Sequence, residues 1–280
     1  MSENKKIADK SFFKWKNIFF VGTSAINWDK PFVYRYMPYK RIKDIFSKKE
    51  ITFVSPNKWE DPYEKIYLKA EVKGTSDKLP NVACLCVRSN SCENSDAFWN
   101  WSKIKKELWV RVKINLYNLC RDLNTFAKQN EANVYLSSVI YRGKTYIESA
   151  AKNGNIVNES LEKTFVRLLS LKRRDYKYED ELRIIIAWKS GKELQTFSKD
   201  ELLKVKCHLD CIERITVQSS KELTNVNDVY SDLLATLKKG KKCNKYHKTK
   251  KIDGITIAQS AFEKPPKRKM FITYPLPKTK

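Results

Sequence analysis

The apolar residues of this chain follow two spacings, one typical of strands and one typical of helices. In Glu107–Ile114 every second residue from Leu108 onward is apolar, a period of two that predicts a half-buried strand. In Glu159–Arg174 apolar residues recur three and four positions apart, which predicts an amphipathic helix. The chain therefore contains both kinds of element.

The same patterns predict a series of further elements. Strands are expected at 32–37, 51–54, 82–87, 107–114, 133–141, 182–188, 202–209, 212–217 and 252–258. Helices are expected at 39–49, from residue 94 or 95 to 104, and at 116–130, 159–174 and 226–239. Because helices and strands interleave without regular βαβ spacing, we predict an α+β fold in which helices flank a mixed or antiparallel sheet.

Four regions follow from these elements and from the placement of charge. We expect an N-terminal lead-in at residues 1–30, an α+β domain at 31–237, a mobile basic loop at 238–251, and a C-terminal strand with a basic tail at 252–280. The loop has many lysines and no acidic residue, so it would repel itself as a packed element.

Basic residues greatly outnumber acidic ones. There are 56 Lys and Arg against 32 Asp and Glu, for a formal net charge of +24. Such a charge attracts polyanions, so nucleic acid is the predicted partner, although a lysine-rich composition alone is an alternative explanation. The predicted nucleic-acid-binding residues are those of the basic loop: Lys238, Lys239, Lys241, Lys242, Lys245, Lys248, Lys250 and Lys251.

Other features restrict the functional classes. Neither glycine pattern of the nucleotide-binding loops, GxGxxG or GxxxxGK[ST], occurs among the 7 glycines. The first ten residues are polar and no long apolar segment follows, so we expect no signal peptide and no membrane partner. The 7 irregularly spaced cysteines predict reduced thiols and a cytoplasmic location. We predict no metal site; the alternative is zinc bound by Cys84, Cys86 and Cys92, or by Cys207, His208 and Cys211.

Four segments in order resemble a widespread bacterial domain family of unassigned function. They are Tyr-Arg-Tyr at 34–36, Trp-Glu-Asp-Pro-Tyr-Glu at 59–64, the tryptophan-containing stretch at 97–101, and Tyr-Glu-Asp-Glu-Leu-Arg-Ile at 178–184. The resemblance spans roughly residues 33–188, over half of the chain.

The layout is also similar to that of ADP-ribosyltransferases, which place an Arg or His on an early strand and a Glu-x-Glu turn before a late apolar strand. This resemblance implies an ADP-ribosyltransferase-like fold and NAD as the cofactor. Glu181 would then stabilise the cationic ribose as its bond to nicotinamide breaks, and Glu179 would orient the acceptor. Arg35 would grip phosphate, while Tyr34, Tyr36 or Trp99 would stack on nicotinamide.

We therefore expect an NAD-using transferase that acts on nucleic acid or a nucleic-acid-associated target, of the kind found among toxins and anti-phage effectors. Two alternatives are a non-catalytic nucleic-acid-binding protein and a metal-dependent nuclease built on Asp61, Glu64 and the Glu179–Glu181 pair. A structural alternative is that these two glutamates pair with Lys172, Arg173 or Arg183.

Overall fold

A mixed β-sheet with helices on both faces organises the chain. The computed structural model describes residues 12–22, 26, 29, 31–65, 81–89, 107–153, 161–188, 201–217, 226–236, 249–252 and 254–259. The strands are β1 (Phe12–Trp15), β2 (Ile18–Val21), β3 (Phe32–Pro38), β4 (Glu50–Val54), β5 (Val82–Arg88), β6 (Trp109–Asn115), β7 (Ala132–Ser138), β8 (Ile140–Arg142), β9 (Leu171–Arg173), β10 (Glu181–Trp188), β11 (Leu202–Lys206), β12 (Ile212–Val217), β13 (Thr249–Ile252) and β14 (Ile255–Gln259). The helices are α1 (Tyr39–Lys48), α2 (Pro62–Lys65), α3 (Leu116–Gln129), α4 (Lys144–Asn153), α5 (Leu161–Leu169) and α6 (Val226–Thr236). Three 3₁₀ turns span Pro56–Lys58, Arg174–Glu179 and Leu209–Cys211.

The predicted α+β class is confirmed. Most strands of the large sheet pair antiparallel along the order β1-β2-β7-β10-β5-β3-β6-β12-β14-β13, with parallel pairs at β2–β7 and β12–β14. Strand β4 pairs with β5 and β11, and β8 and β9 form a separate parallel ribbon. Among the described residues, none of the helices combines the length and the apolar character needed to cross a bilayer.

Helices cover the two faces of the sheet unequally. The larger apolar cluster packs α1, α3 and α6 against one face, with fully buried residues such as Phe53 and Leu123. On the other face, α5 packs Phe165 and Leu169 against Tyr135 and Ile185. Strand β10 lies between these layers and is buried along its whole length, which explains its nearly continuous apolar sequence.

Two predicted elements have different boundaries in the structure. The helix predicted to reach Arg174 ends at Leu169, where the Ser170 N–H bonds three residues back to the Arg167 carbonyl (3.0 Å) and Leu171 pairs with Ile140 of β8. The chain then forms β9 and a 3₁₀ turn. The strand predicted at 133–141 is divided between β7 and β8, and β8 leaves the large sheet to pair with β9.

The end of the predicted basic loop was assigned wrongly. Lys250 and Lys251 lie in β13, whose backbone pairs antiparallel with β14 in a hairpin, so ladder hydrogen bonds hold this end of the predicted loop. Gly254, in the turn between these strands, has φ of 81°, a conformation that glycine adopts without strain. The other lysines assigned to this loop, at positions 238 to 248, lie outside the described residues, as do the helix predicted at 94–104 and its Trp99.

The sheet forks where β3 meets β5. Strand β3 pairs with β6 along its full length, yet it meets β5 at one position, Tyr34 opposite Arg88. Along its other edge, strand β5 pairs with β10 over nearly its whole length. Strand β5 meets β4 only at Cys84, opposite Val54. The two halves of the sheet therefore diverge from a single bridge, and this divergence opens a cleft.

Candidate active site at the fork of the sheet

The cleft at the fork has a volume of about 220 Å³. Its walls are formed by β3, by the end of β5, and by the junction between the 3₁₀ turn Arg174–Glu179 and the start of β10. Its lining residues are Tyr34, Arg35, Tyr36, Cys86, Val87, Arg88, Glu179 and Glu181. Five of the predicted site residues are thus brought together: Tyr34, Arg35 and Tyr36 from one part of the sequence, and Glu179 and Glu181 from another far along the chain.

Arg35 supplies the positive charge on the β3 side of the cleft. It is half-buried, and among the described residues it makes neither a hydrogen bond nor an ion pair. Burial lowers the pKa of its guanidinium to about 10, with the Cys86 thiol and Arg41 acting in opposite directions. Because the group stays charged at neutral pH and has no carboxylate partner here, it is suited to bind an anion that enters the cleft.

Glu181 is the most firmly held acid of the cleft. Its side chain is only 5% exposed, and its oxygens accept hydrogen bonds from Arg183 Nε (2.7 Å) and Lys172 Nζ (2.8 Å). Burial acts to raise its pKa, but the charges of Arg183 and Lys172 outweigh burial and hold the pKa well below its ordinary value. Glu181 is therefore a fixed negative charge at neutral pH.

Glu179 occupies the end of the 3₁₀ turn and is more accessible. Its side chain is 21% exposed, and one oxygen accepts a hydrogen bond from Lys172 Nζ at 2.6 Å. Burial and the neighbouring Glu181 charge raise the pKa of Glu179 to about 7, although Lys172 acts in the opposite direction. A carboxylate with such a pKa can both accept and donate a proton near neutral pH.

A buried ionic network supports this pair of acids. Arg183 is fully buried and also donates to Glu64 Oε2 at 2.6 Å and to the Leu169 carbonyl. Lys172 Nζ lies 3.3 Å from Glu64 Oε1, so Glu64 is bound by both cations. The Arg183 guanidinium stacks over Trp59, 4.2 Å from the ring centroid.

The structural alternative for the two glutamates is confirmed for two of its three cations. Lys172 and Arg183 pair with them, whereas Arg173 bonds instead to Asp61 at 2.9 Å. The same observations bear on the nuclease hypothesis, because Asp61, Glu64 and Glu181 each already have a basic partner. A metal ion at these carboxylates would have to displace or adjoin buried cations.

Three residues that line the cleft were missed from the sequence: the polar Arg88 and Cys86, and Val87 between them. Arg88 is buried at the end of β5 and donates from Nη2 to the Tyr178 carbonyl at 3.2 Å. Arg88 and Cys86 are two residues apart on β5, so their side chains lie on one face of the strand. This spacing is the sequence feature that could have indicated that they lie together. Cys84 is buried, whereas Cys86 is only half-buried and borders the cleft.

In the part of the chain that the structure describes, the other cysteines and His208 do not line the cleft. The described cysteines, including Cys207 and Cys211, are all free thiols. His208 Nδ1 lies 2.8 Å from Asp122 Oδ1. Among the described residues, no group of three or more His, Cys, Asp or Glu side chains is arranged to hold a metal ion.

Comparison with protein-family models, curated proteins and solved structures finds no match to this chain. The two resemblances noted in the sequence therefore stay predictions, and functional inference depends on the cleft itself.

Proposed function

We propose that this chain is an NAD-using transferase of the ADP-ribosyl type that acts on nucleic acid or a nucleic-acid-associated target. One observation carries the proposal: Arg35 and the Glu179–Glu181 pair, on opposite sides of the fork, line a single cleft. An anion-binding group thus faces a fixed anion and a titratable acid, which is what glycosyl transfer from a phosphorylated donor needs.

The residues present fit such a donor. Arg35, with no acidic partner among the described residues, can bind a pyrophosphate oxygen, and the rings of Tyr34 and Tyr36 lie on the same strand. The cleft is smaller than the roughly 300–1,000 Å³ of sites that enclose drug-sized ligands, so it would hold one end of a dinucleotide. When bound, NAD would supply an ADP-ribosyl group whose bond to nicotinamide breaks with positive charge developing on the ribose.

The two acids have separate roles. Glu181, kept ionised by Arg183 and Lys172, provides a preorganised negative charge that does not need to reorient as positive charge develops. Glu179, with its pKa near 7, accepts the proton of the acceptor nucleophile. Lys172 contacts both carboxylates and fixes their separation.

The experiment measures release of nicotinamide from NAD by chromatography, with and without single-stranded RNA or DNA. The wild-type protein should release nicotinamide, and Glu181→Gln should reduce the rate by about 100-fold or more, the scale of one lost electrostatic contact to the transition state. Arg35→Ala, outside the buried network, should mainly raise KM, because it removes a binding contact.

The matched control is Glu213→Gln, an acid on β12 that pairs with Lys113 at 2.6 Å and does not line the cleft. This variant should retain full activity. Thermal unfolding of each variant separates lost chemistry from lost folding, and Arg35→Ala gives a second test if Glu181→Gln does not fold. Absence of turnover by the wild type with every acceptor tried would refute the proposal.

The net charge favours a second candidate, a nucleic-acid-binding protein without catalysis. It predicts salt-dependent binding to RNA or DNA together with no release of nicotinamide. The same preparations therefore decide between the two functions.

A further inference from the structure

Cations and aromatic rings alternate along a surface beside the cleft. Lys144 Nζ lies 5.6 Å from the Tyr63 ring, and the Arg173 guanidinium lies 5.2 Å from that ring and 4.9 Å from Tyr176. Tyr176 in turn lies 6.4 Å from Tyr178, centroid to centroid. We call these five residues the aromatic ladder.

A second pair of one cation and one aromatic ring lies beside the ladder. Arg142 is the register partner of Arg173 in the β8–β9 ribbon, and its guanidinium lies 5.6 Å from the Tyr146 ring. Tyr146 is 54% exposed and Tyr178 is 43% exposed, which is unusual for large aromatic side chains. Two rings therefore face solvent among positive charges.

The ladder leads directly into the cleft. The 3₁₀ turn that carries Tyr176 and Tyr178 ends at Glu179, and the Tyr178 carbonyl accepts the hydrogen bond from Arg88. A polymer lying along the ladder would thus have one of its residues next to the titratable acid.

We propose that the aromatic ladder binds single-stranded nucleic acid and presents one nucleotide to the cleft. The binding stands by itself, whereas the presentation of an acceptor rests on the proposed function. This surface lies within the α+β domain and consists of other residues than the basic loop that the sequence indicated.

The chemistry of the surface favours a single strand over other polyanions. Exposed rings stack on unpaired bases of any sequence, while adjacent cations bind the phosphates between them. Three acids beside the ladder already have partners: Asp61 and Asp175 pair with Arg173, and Glu179 pairs with Lys172. These carboxylates therefore do not compensate the exposed Arg174 and Lys177. A duplex would offer phosphates to the cations but no open base faces to the rings.

Fluorescence anisotropy with labelled 12-nucleotide poly-U and poly-dT tests the binding, using the full chain. Tyr146→Ala and Tyr178→Ala should each weaken binding by about 10-fold, in the lower part of the range for one lost base stack. The control is Tyr117→Ala, a tyrosine 39% exposed on α3, which packs on the other face of the sheet. This control should bind like the wild type.

The charges are tested by salt dependence. A plot of the logarithm of the association constant against the logarithm of the salt concentration has a negative slope. Arg142→Ala and Lys177→Ala should each make this slope shallower by about 0.7, the value for one phosphate contact on a single strand. Lys128→Ala removes an exposed charge from α3 and should leave the slope unchanged.

The outcomes separate this inference from the proposed function. Tyr146→Ala should release nicotinamide at the wild-type rate when nucleic acid is absent, because Tyr146 does not line the cleft. Ladder-dependent binding without any turnover would support this inference and refute the transferase. Wild-type affinity in the Tyr146→Ala/Tyr178→Ala double variant, or tighter binding to a hairpin duplex than to poly-U, would overturn the inference.

Discussion

Removal of the Arg183 side-chain charge is the most direct test of the network that supports the cleft. Arg183 has no exposed surface, and it donates to Glu181 Oε1 at 2.7 Å and to Glu64 Oε2 at 2.6 Å. Methionine is unbranched and adapts to irregular space, so Arg183→Met removes the charge and hydrogen bonds while filling much of the volume. The variant would leave two buried carboxylates with Lys172 as their shared partner.

The expected loss is about 3–5 kcal/mol in the free energy of unfolding, the range for breaking a buried ion pair by removing one partner. The loss should depend on pH. The pKa of Glu181 in the folded protein lies below its ordinary value of 4.5, so the stability it contributes is present above that pH and is lost as the pH falls. The difference between wild type and variant should therefore narrow below about pH 4.5.

Urea unfolding followed by circular dichroism at pH 7.5 and pH 3.5 measures both effects. The control is Lys206→Met, whose side chain is 79% exposed and pairs with Glu50, and it should cost less than about 1 kcal/mol. A loss below about 1 kcal/mol in Arg183→Met at pH 7.5 would refute the reasoning, as would a loss that is equal at both pH values.

Two further predictions follow from the same structure. If Glu179 is the proton acceptor, the turnover rate of the wild type should rise with pH through about 7, and Glu179→Gln should abolish this rise in a pH–rate profile. Ser170→Ala should cost about 1–3 kcal/mol in urea unfolding, because it leaves the buried Ser137 hydroxyl without its 2.7 Å partner, whereas Ser170→Thr retains the hydroxyl and separates hydrogen bonding from packing.

Most local structure could be predicted from the sequence. The alternation in 107–114 and the apolar run in 182–188 each gave a strand within a residue or two of its bounds. The exceptions arise where tertiary contacts override the local pattern. The helical spacing in 159–174 continues past Ser170, but the residues that follow pair with β8 and form a strand instead.

The cleft could be predicted only in part. The spacing of Glu181 and Arg183, two residues apart on a strand, places both on one face and predicts their contact. The fork could not be predicted, because it depends on the pairing of Tyr34 with Arg88, and no local pattern states which strands pair. For the same reason the sequence did not show that Glu64 would complete the network.

The position of the ionic network is itself informative about function. A buried pair of charges is seldom more stable than apolar side chains of the same volume, because removing each charge from water costs several kcal/mol. Here three acids and two bases are gathered at the fork, while the rest of β10 is packed with aliphatic residues. If the network served stability alone, the apolar packing of Ile185 and Ala187, which lie on the same face of β10, could extend to this end of the strand. We therefore attribute it to the positioning of charge: Arg183 and Lys172 keep Glu181 ionised beside Glu179, and the fork exposes both acids to the same cleft as Arg35.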